Sequence, residues 1–383
     1  MDVTDSTDAD VDDTDSNSGG DGDGAGGNAD TSAGADVSTG TGAESIKVRQ
    51  ARPADDDAVR SFTENTWPDR GGDYIPRIYH DWIAGDGDDQ RTFVVEAGGR
   101  VAGICQGVLL SEDEAWAQGM RVDPDLRGEG LSRTLNDALF DWAARRGAAV
   151  CRNMVFSWNS AGLGGSRAAG FSPRAEFRWA YPEPDADAEV EADAGTDSTL
   201  VVHEDPDVAW SYWQRSDARE ALRGLALDRT ESWAVSALTR ADLREAAAET
   251  RVFAVQGDDA RGSAYRVRDY KRDVRSDEGE GGDDAESNDG NEIDRNEKAT
   301  TTERWAEYGV GAWADVASAR ALFAAIRTDA AALDADRTRV LIPETPRRVS
   351  DAAVCRVETD PEPDFVFEAD LTGRTGRTGR RDR

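Results

Sequence analysis

Three stretches of this chain cannot bury a core, and they divide the remainder into two foldable halves. Residues 1–44 carry 12 carboxylates and no Lys or Arg, residues 182–198 carry seven and no base, and residues 277–297 carry ten against Arg295 alone. Of the net charge of −33, −28 therefore sits in segments poor in apolar side chains, too hydrophilic to offset the entropy of ordering them. They read as a disordered acidic tail, an acidic inter-domain linker over 182–206 and a disordered insertion in the second half. The segment 372–383, with Arg374, Arg377, Arg380, Arg381 and Arg383 between Thr-Gly pairs, reads as a second, Arg-rich disordered tail. What remains is 45–181 and 207–371, each of ordinary domain size.

The sign of the charge excludes some partners. At −33 the chain repels nucleic acid and anionic membrane surfaces, and no run approaches the ~18 apolar residues of a membrane helix. The N-terminus lacks the basic and apolar regions of a secretory signal, so the expected compartment is the cytoplasm. Cys105, Cys151 and Cys355 are widely spaced and imply no disulfide framework. With His80 and His203 as the sole histidines, no metal site is expected. Only Lys47, Lys271 and Lys298 interrupt the use of Arg as the basic residue. An acidic, Lys-poor surface suits a halophilic protein working in concentrated salt.

Residues 45–181 alternate strand and helix signals. Ile46 and Val48 mark a strand, and Pro53 with Asp55, Asp56 and Asp57 opens a helix whose inner face is Val59, Phe62 and Thr66. A second helix spans Pro76 to Ala84. Thr92–Glu96 and Arg100–Leu110 flank Gly98-Gly99 as a hairpin. A strand over Ala115–Val122 then meets Asp123-Pro124, and Arg127-Gly128-Glu129-Gly130-Leu131-Ser132 opens a third helix. Leu131, Leu135, Ala138, Leu139 and Trp142 form one helical stripe; Gly147 stops it, and Val150–Phe156 is a strand. Two glycines at such a strand-to-helix turn let the backbone approach a ligand, and the unpaired amides of the helix start suit a pyrophosphate.

This half resembles the GNAT acetyltransferase superfamily, whose members hold acetyl-CoA on a [Q/R]-x-x-G-x-[G/A] turn after the fourth strand. Arg127 to Ser132 fits that turn, with Ser132 where Gly or Ala is usual. The resemblance implies a mixed α/β (α+β) fold with a mostly antiparallel central sheet flanked by helices. It implies acetyl-CoA as co-substrate, held by Arg127, Gly128, Glu129, Gly130, Leu131, Ser132 and Arg133, with the backbone around Met120, Arg121 and Val122 pairing with the pantetheine arm. A further family pattern, Asn, then Tyr seven residues on, then Gly-Phe, is kept as Asn159, Ser166 and Gly170-Phe171, with Ser in place of Tyr. Asn159 then either bonds the pantetheine arm or caps a loop.

Residues 207–371 repeat a similar element order: an aromatic helical start, a hairpin around Gly257, strand-like Trp305–Trp313, a helix over Val316–Ile326, and strands at Arg339–Ile342 and Phe365–Phe367. This reads as a second, degenerate GNAT-like unit in tandem. Its strand-to-helix junction, Trp313-Ala314-Asp315-Val316, has no glycine turn, so it is expected to shape the acceptor site or a homodimer rather than bind cofactor.

The resemblance also implies N-acetyl transfer to a primary amine, of a small molecule or a peptide, by direct attack in a ternary complex. The thiolate is often protonated by the Tyr that Ser166 replaces, and Ser is a poor acid near pH 7. Glu114, beside Glu112 and Asp113, is the candidate base acting through water; the alternative is an acidic surface turn. His80 and Arg121 are candidates for the acceptor side, and Cys151 reads as a small buried residue. The alternative to an enzyme is a non-catalytic acyl-CoA-binding or interaction protein of GNAT fold.

Overall fold

The structure is a computed structural model of the chain and describes residues 45–67, 72–188, 200–275 and 300–374. The acidic tail 1–44, the insertion 277–297, residues 189–199 of the linker and the end of the Arg-rich tail lie outside the described residues. The described residues belong to one compact unit.

The first half opens with β1 (Lys47–Gln50), α1 (Asp56–Thr63) and α2 (Ile75–Gly85), then an antiparallel meander of β2 (Gln90–Ala97), β3 (Arg100–Leu109) and β4 (Glu114–Val122). It continues through α3 (Leu131–Arg145), β5 (Val150–Phe156), α4 (Ser160–Ala168) and β6 (Ser172–Tyr181). Alternation decides which face each helix covers. On β2, Val94 packs with Val59, Tyr79 and Trp82 of α1 and α2. Its neighbours Phe93 and Val95 pack on the opposite face with Leu135, Leu139 and Trp142 of α3. The expected α3 stripe is the buried one, except that Ala138 is only partly buried; on α1 the inner face ends at Thr63, and Thr66 lies beyond the helix.

The second half runs β7 (Val201–His203), α5 (Pro206–Trp213), α6 (Asp217–Ala221), the small β8 (Leu225–Leu227) and β9 (Val235–Ala237) pair, and α7 (Arg240–Glu249). A second meander of β10 (Arg251–Gln256), β11 (Ala260–Arg275) and β12 (Thr300–Tyr308) follows. Then come β13 (Ala312–Trp313), α8 (Val316–Ala332), β14 (Arg337–Pro343), α9 (Pro346–Val354), β15 (Glu358–Thr359) and β16 (Asp364–Asp370). The order strand, helices, three-stranded meander, helix, parallel strand, helix occurs in both halves. In each, the last meander strand pairs in parallel with the strand after the crossover helix: β4 with β5, and β12 with β14.

The halves do not end where composition divides them. The main sheet runs β1-β2-β3-β4-β5-β16-β6-β14-β12-β11-β10-β7. The C-terminal strand β16 lies between β5 and β6, and β6 in turn pairs with β14, so each half completes its sheet with the other's last strand. Asp364–Asp370 pairs along β5 from Phe156 to Val150. Two further differences concern the expected loose segments: β7 falls inside the stretch read as linker, and Arg374 of the Arg-rich tail is tied to Asp137 and Asp141 of α3 and lies over Phe140. One core joins Trp116, Phe177 and Val366 to Trp213, Leu227 and Ala254 of the second half.

Candidate functional site

The strand β4 is the strand on which the site is built. Against β3 it carries one extra residue, since Ile104 pairs with Arg121 and Gln106 with Gln118. That bulge contains Gly119 at φ 64°. Only glycine fits there, because a Cβ would lie 2.2 Å from the Trp82 ring. On its other edge β4 pairs with β5 only from Glu114 to Trp116. From Ala117 to Val122 that edge has no strand partner among the described residues, so a row of peptide groups is open to an extended ligand.

At the end of this open edge the chain turns. Asp123 accepts from the Asp125 amide at 3.0 Å and starts a short 3₁₀ turn over Pro124–Leu126. Gly128 and Gly130 then take φ 85° and 78°, and Gly130 serves as N-cap of α3 without any side-chain cap. No backbone partner within the described residues takes the amides of Gly128 to Arg133; the first amide to turn inward is Thr134, bonded to the Gly130 carbonyl at 3.1 Å. A Cβ at either glycine would meet nothing within 4 Å, so the space above the turn is vacant. Arg127 and Arg133 are exposed beside it. Unpaired amides, a helix N-terminus and adjacent guanidinium groups fit a phosphate-bearing ligand.

Across the opening, β5 carries Asn153, whose Nδ2 donates to Ser166 Oγ at 3.0 Å. Its Oδ1 is buried without a partner. A buried orphan acceptor costs about 1–3 kcal/mol unless something donates to it, and an amide N–H of a bound pantetheine arm would do so. Sequence reasoning did not single out Asn153; the available signal was a polar residue on the face of β5 that Cys151 and Val155 share.

Other expected site residues are placed differently. Asn159 caps α4, its side chain accepting from the Gly162 amide at 2.9 Å. The Arg121 guanidinium is held by Asp73 at 2.6 Å and lies 4.3 Å over Trp67, which leaves only its backbone for a ligand on β4. Glu114 is not open to an acceptor. One oxygen takes Arg152 Nη1 at 2.5 Å, the other takes the Ala237 amide of β9 at 3.1 Å, and Arg152 also reaches Glu368 of β16 at 2.7 Å. Burial selects this outcome, because a buried carboxylate needs a cation and donors. Glu112 and Asp113 remain on the exposed turn before β4, and His80 is an exposed helix residue 3.2 Å from Asp56. Cys151 is fully buried, and burial pushes its thiol pKa well up.

Residues 56–161 match the family described as Acetyltransferase (GNAT) family. Over these residues the chain is similar to a GNAT acetyltransferase domain. The matched residues include β4, the turn, α3 and β5, and the mixed sheet flanked by helices is GNAT-like. No curated protein matches the chain. Among solved structures, a GCN5-related N-acetyltransferase from Sphaerobacter thermophilus is 13% identical over 85% of this chain and 96% of its own, with a TM-score of 0.48. The ribosomal-protein-S18-alanine N-acetyltransferase from Escherichia coli is 21% identical over 37% of this chain and 86% of its own (TM-score 0.31). A Salmonella typhimurium protein solved with its cofactor acetyl-CoA is 23% identical over 35% and 83% (TM-score 0.28).

Two clefts of about 530 Å³ lie apart from this turn. Arg174, Arg215, Arg219 and Arg223 line one; Arg261, Trp313 and Arg347 are among those lining the other. No helix among the described residues is long and apolar enough to cross a membrane.

Proposed function

We propose that residues 45–181 bind acetyl-CoA and transfer its acetyl group to a primary amine by direct attack in a ternary complex. The observation that carries this reading is the uncapped start of α3, where Gly128 to Arg133 present free amides beside the unpaired edge of β4. In this reading the amides hold the pyrophosphate, with Arg127 and Arg133 adding charge. The peptide groups of Met120 and Val122 pair with the pantetheine arm, and Asn153 Oδ1 receives one of its N–H groups. A backbone amide near the Gly119 bulge stabilises the oxyanion as the thioester carbonyl is attacked. Residues 207–371 act as the degenerate tandem unit that shapes the acceptor side. The net charge of −33 supports work in concentrated salt, in the cytoplasm.

The deciding experiment is a screen for free thiol released from acetyl-CoA across amine classes at molar salt. Turnover with one class supports transfer. A second reading, an acyl-CoA-binding protein without catalysis, draws on Ser166 standing in the Tyr position with its hydroxyl already bonded to Asn153. Tight acetyl-CoA binding with no amine-dependent turnover would favour it.

A further inference from the structure

The second half sends one acidic side chain onto β4 beside the bulge. The loop between β8 and β9 is built around Asp228, whose Oδ1 accepts from the Thr230 and Glu231 amides at 2.9 and 2.7 Å. Arg268 of β11 holds the same loop by the carbonyls of Asp228 and Glu231. So fixed, Glu231 Oε1 accepts from Gln118 Nε2 at 2.9 Å. Gln118 is one residue before Gly119, and its orientation is set by Gln106, whose Oε1 accepts from the same nitrogen at 2.8 Å. The Tyr74 phenol lies beside the Gly119 backbone amide and within electrostatic reach of Glu231 and Arg121. These groups sit on the face of β4 covered by α1, α2 and the second half, opposite α3. Among the described residues, the other carboxylate hydrogen-bonded to a side chain of β4's unpaired stretch is Asp73, and both of its oxygens are committed to the Arg121 guanidinium.

We infer that Glu231, supplied by the second half, takes the proton from the acceptor amine for transfer in the first half. This rests on the transferase reading above. The acceptor's ammonium gives one proton to the Glu231 carboxylate. Its nitrogen lone pair then forms the C–N bond with the thioester carbonyl, and the C–S bonding pair leaves on sulfur. The nitrogen's second proton passes to that thiolate, giving amide and free thiol, and Glu231 returns its proton to water. Burial raises the Glu231 pKa above the usual carboxylate range, as does Asp228, while Gln118 and Arg268 oppose the rise. A raised value makes this carboxylate a stronger base than an exposed one. The groups facing it are Gln118 on β4, Tyr74 beside α2, Arg121 with Asp73, and Asp228 and Arg268 in its own half.

The test uses the full chain at molar salt with acetyl-CoA and three acceptors: 1,5-diaminopentane, glycinamide and an alanine-led tetrapeptide. Glu231→Gln keeps the hydrogen bond from Gln118 and should keep acetyl-CoA affinity by calorimetry. It should lower kcat at least 100-fold for whichever acceptor the parent uses, and remove the acidic limb of the rate–pH profile. Glu231→Asp should retain that limb at reduced rate. A parent-like kcat and pH profile in Glu231→Gln would overturn this inference alone. An inactive parent with all three acceptors would overturn the transferase reading for those amine classes, and this inference with it. A Glu231→Gln chain that loses acetyl-CoA affinity as well would assign Glu231 a packing role and overturn it too.

Discussion

The two crossover helices begin in opposite ways. The first, α3, starts at a glycine in left-handed conformation and leaves its first amides free. The second, α8, starts at Asp315, whose side chain accepts from the Ser318 amide at 2.9 Å while Ser318 Oγ accepts from the Asp315 amide at 3.0 Å. Arg261 also pairs with Asp315. The strands before them differ likewise. After Trp116, β4 parts from β5, whereas the chain after β12 is stitched back by the Gly311 amide to the Leu341 carbonyl at 2.8 Å. A repeated topology therefore yields one helix start whose first amides are left unpaired and one whose own carboxylate takes them up. Fold alone does not make the site; the turn residues do.

The strongest way to break this contrast is Gly130→Glu. A side chain there meets left-handed strain of about 1–2 kcal/mol and sets a carboxylate among amides directed at phosphate. Losing several charge-assisted bonds of about 1.5–3 kcal/mol each should raise the acetyl-CoA dissociation constant at least 1000-fold by calorimetric titration, with circular dichroism unchanged.

The seam between the halves is the next target. Glu114→Gln leaves Arg152 with Glu368 alone in a buried site. The variant should lose about 3 kcal/mol of unfolding free energy, measured by urea titration at fixed salt. A loss below about 0.5 kcal/mol would show that the buried network does not hold β4, β5, β9 and β16 together.

A third test lies at the exchanged strand. Asp364, at the start of β16, is buried and bonded by Trp179 Nε1 at 3.2 Å; burial and nearby Asp360 push its pKa up to about 7. An unfolded Asp titrates near 3.9, so between about pH 4 and 7 the native chain keeps a proton that the unfolded chain has lost. Its contribution to stability therefore falls as pH rises through that window and stays level above it. Asp364→Asn should stabilise the protein at pH 8 by up to about 4 kcal/mol, with the gain vanishing toward pH 4. A gain equal at both pH values would refute the assignment.

The smallest effect belongs to the second half's cap. Asp315→Ala should cost about 1 kcal/mol of stability and leave acetyl-CoA affinity unchanged.

The first half was legible because its signals are local. The Arg127–Ser132 turn, the Leu131 to Trp142 stripe and the Gly98-Gly99 hairpin each depend on residues a few positions apart. Hydrophobic periodicity did not mark α7, which buries only Leu243 and Ala246, although Thr239 and Asp242 form a capping box that could have announced it. Similarly, α9 was signalled by Thr345 before Pro346 rather than by an apolar stripe. The exchange of β16 and β6 was beyond local reading. Phe365 to Phe367 declare a strand, yet whether it pairs with β14 or β5 depends on contacts two hundred residues away. Glu114 misled for the same reason: an acid at the start of a strand gives no sign that Arg152 and Ala237 will enclose it.

One half of the repeated fold is expected to hold acetyl-CoA, and the other has closed its equivalent place with the Asp315 cap. The direct measurement is the stoichiometry of acetyl-CoA binding by calorimetric titration of the full chain in concentrated salt. One site per chain, lost in Gly130→Glu and kept in Asp315→Ala, is the expected result. Two sites per chain, or a single site that survives Gly130→Glu, would contradict it.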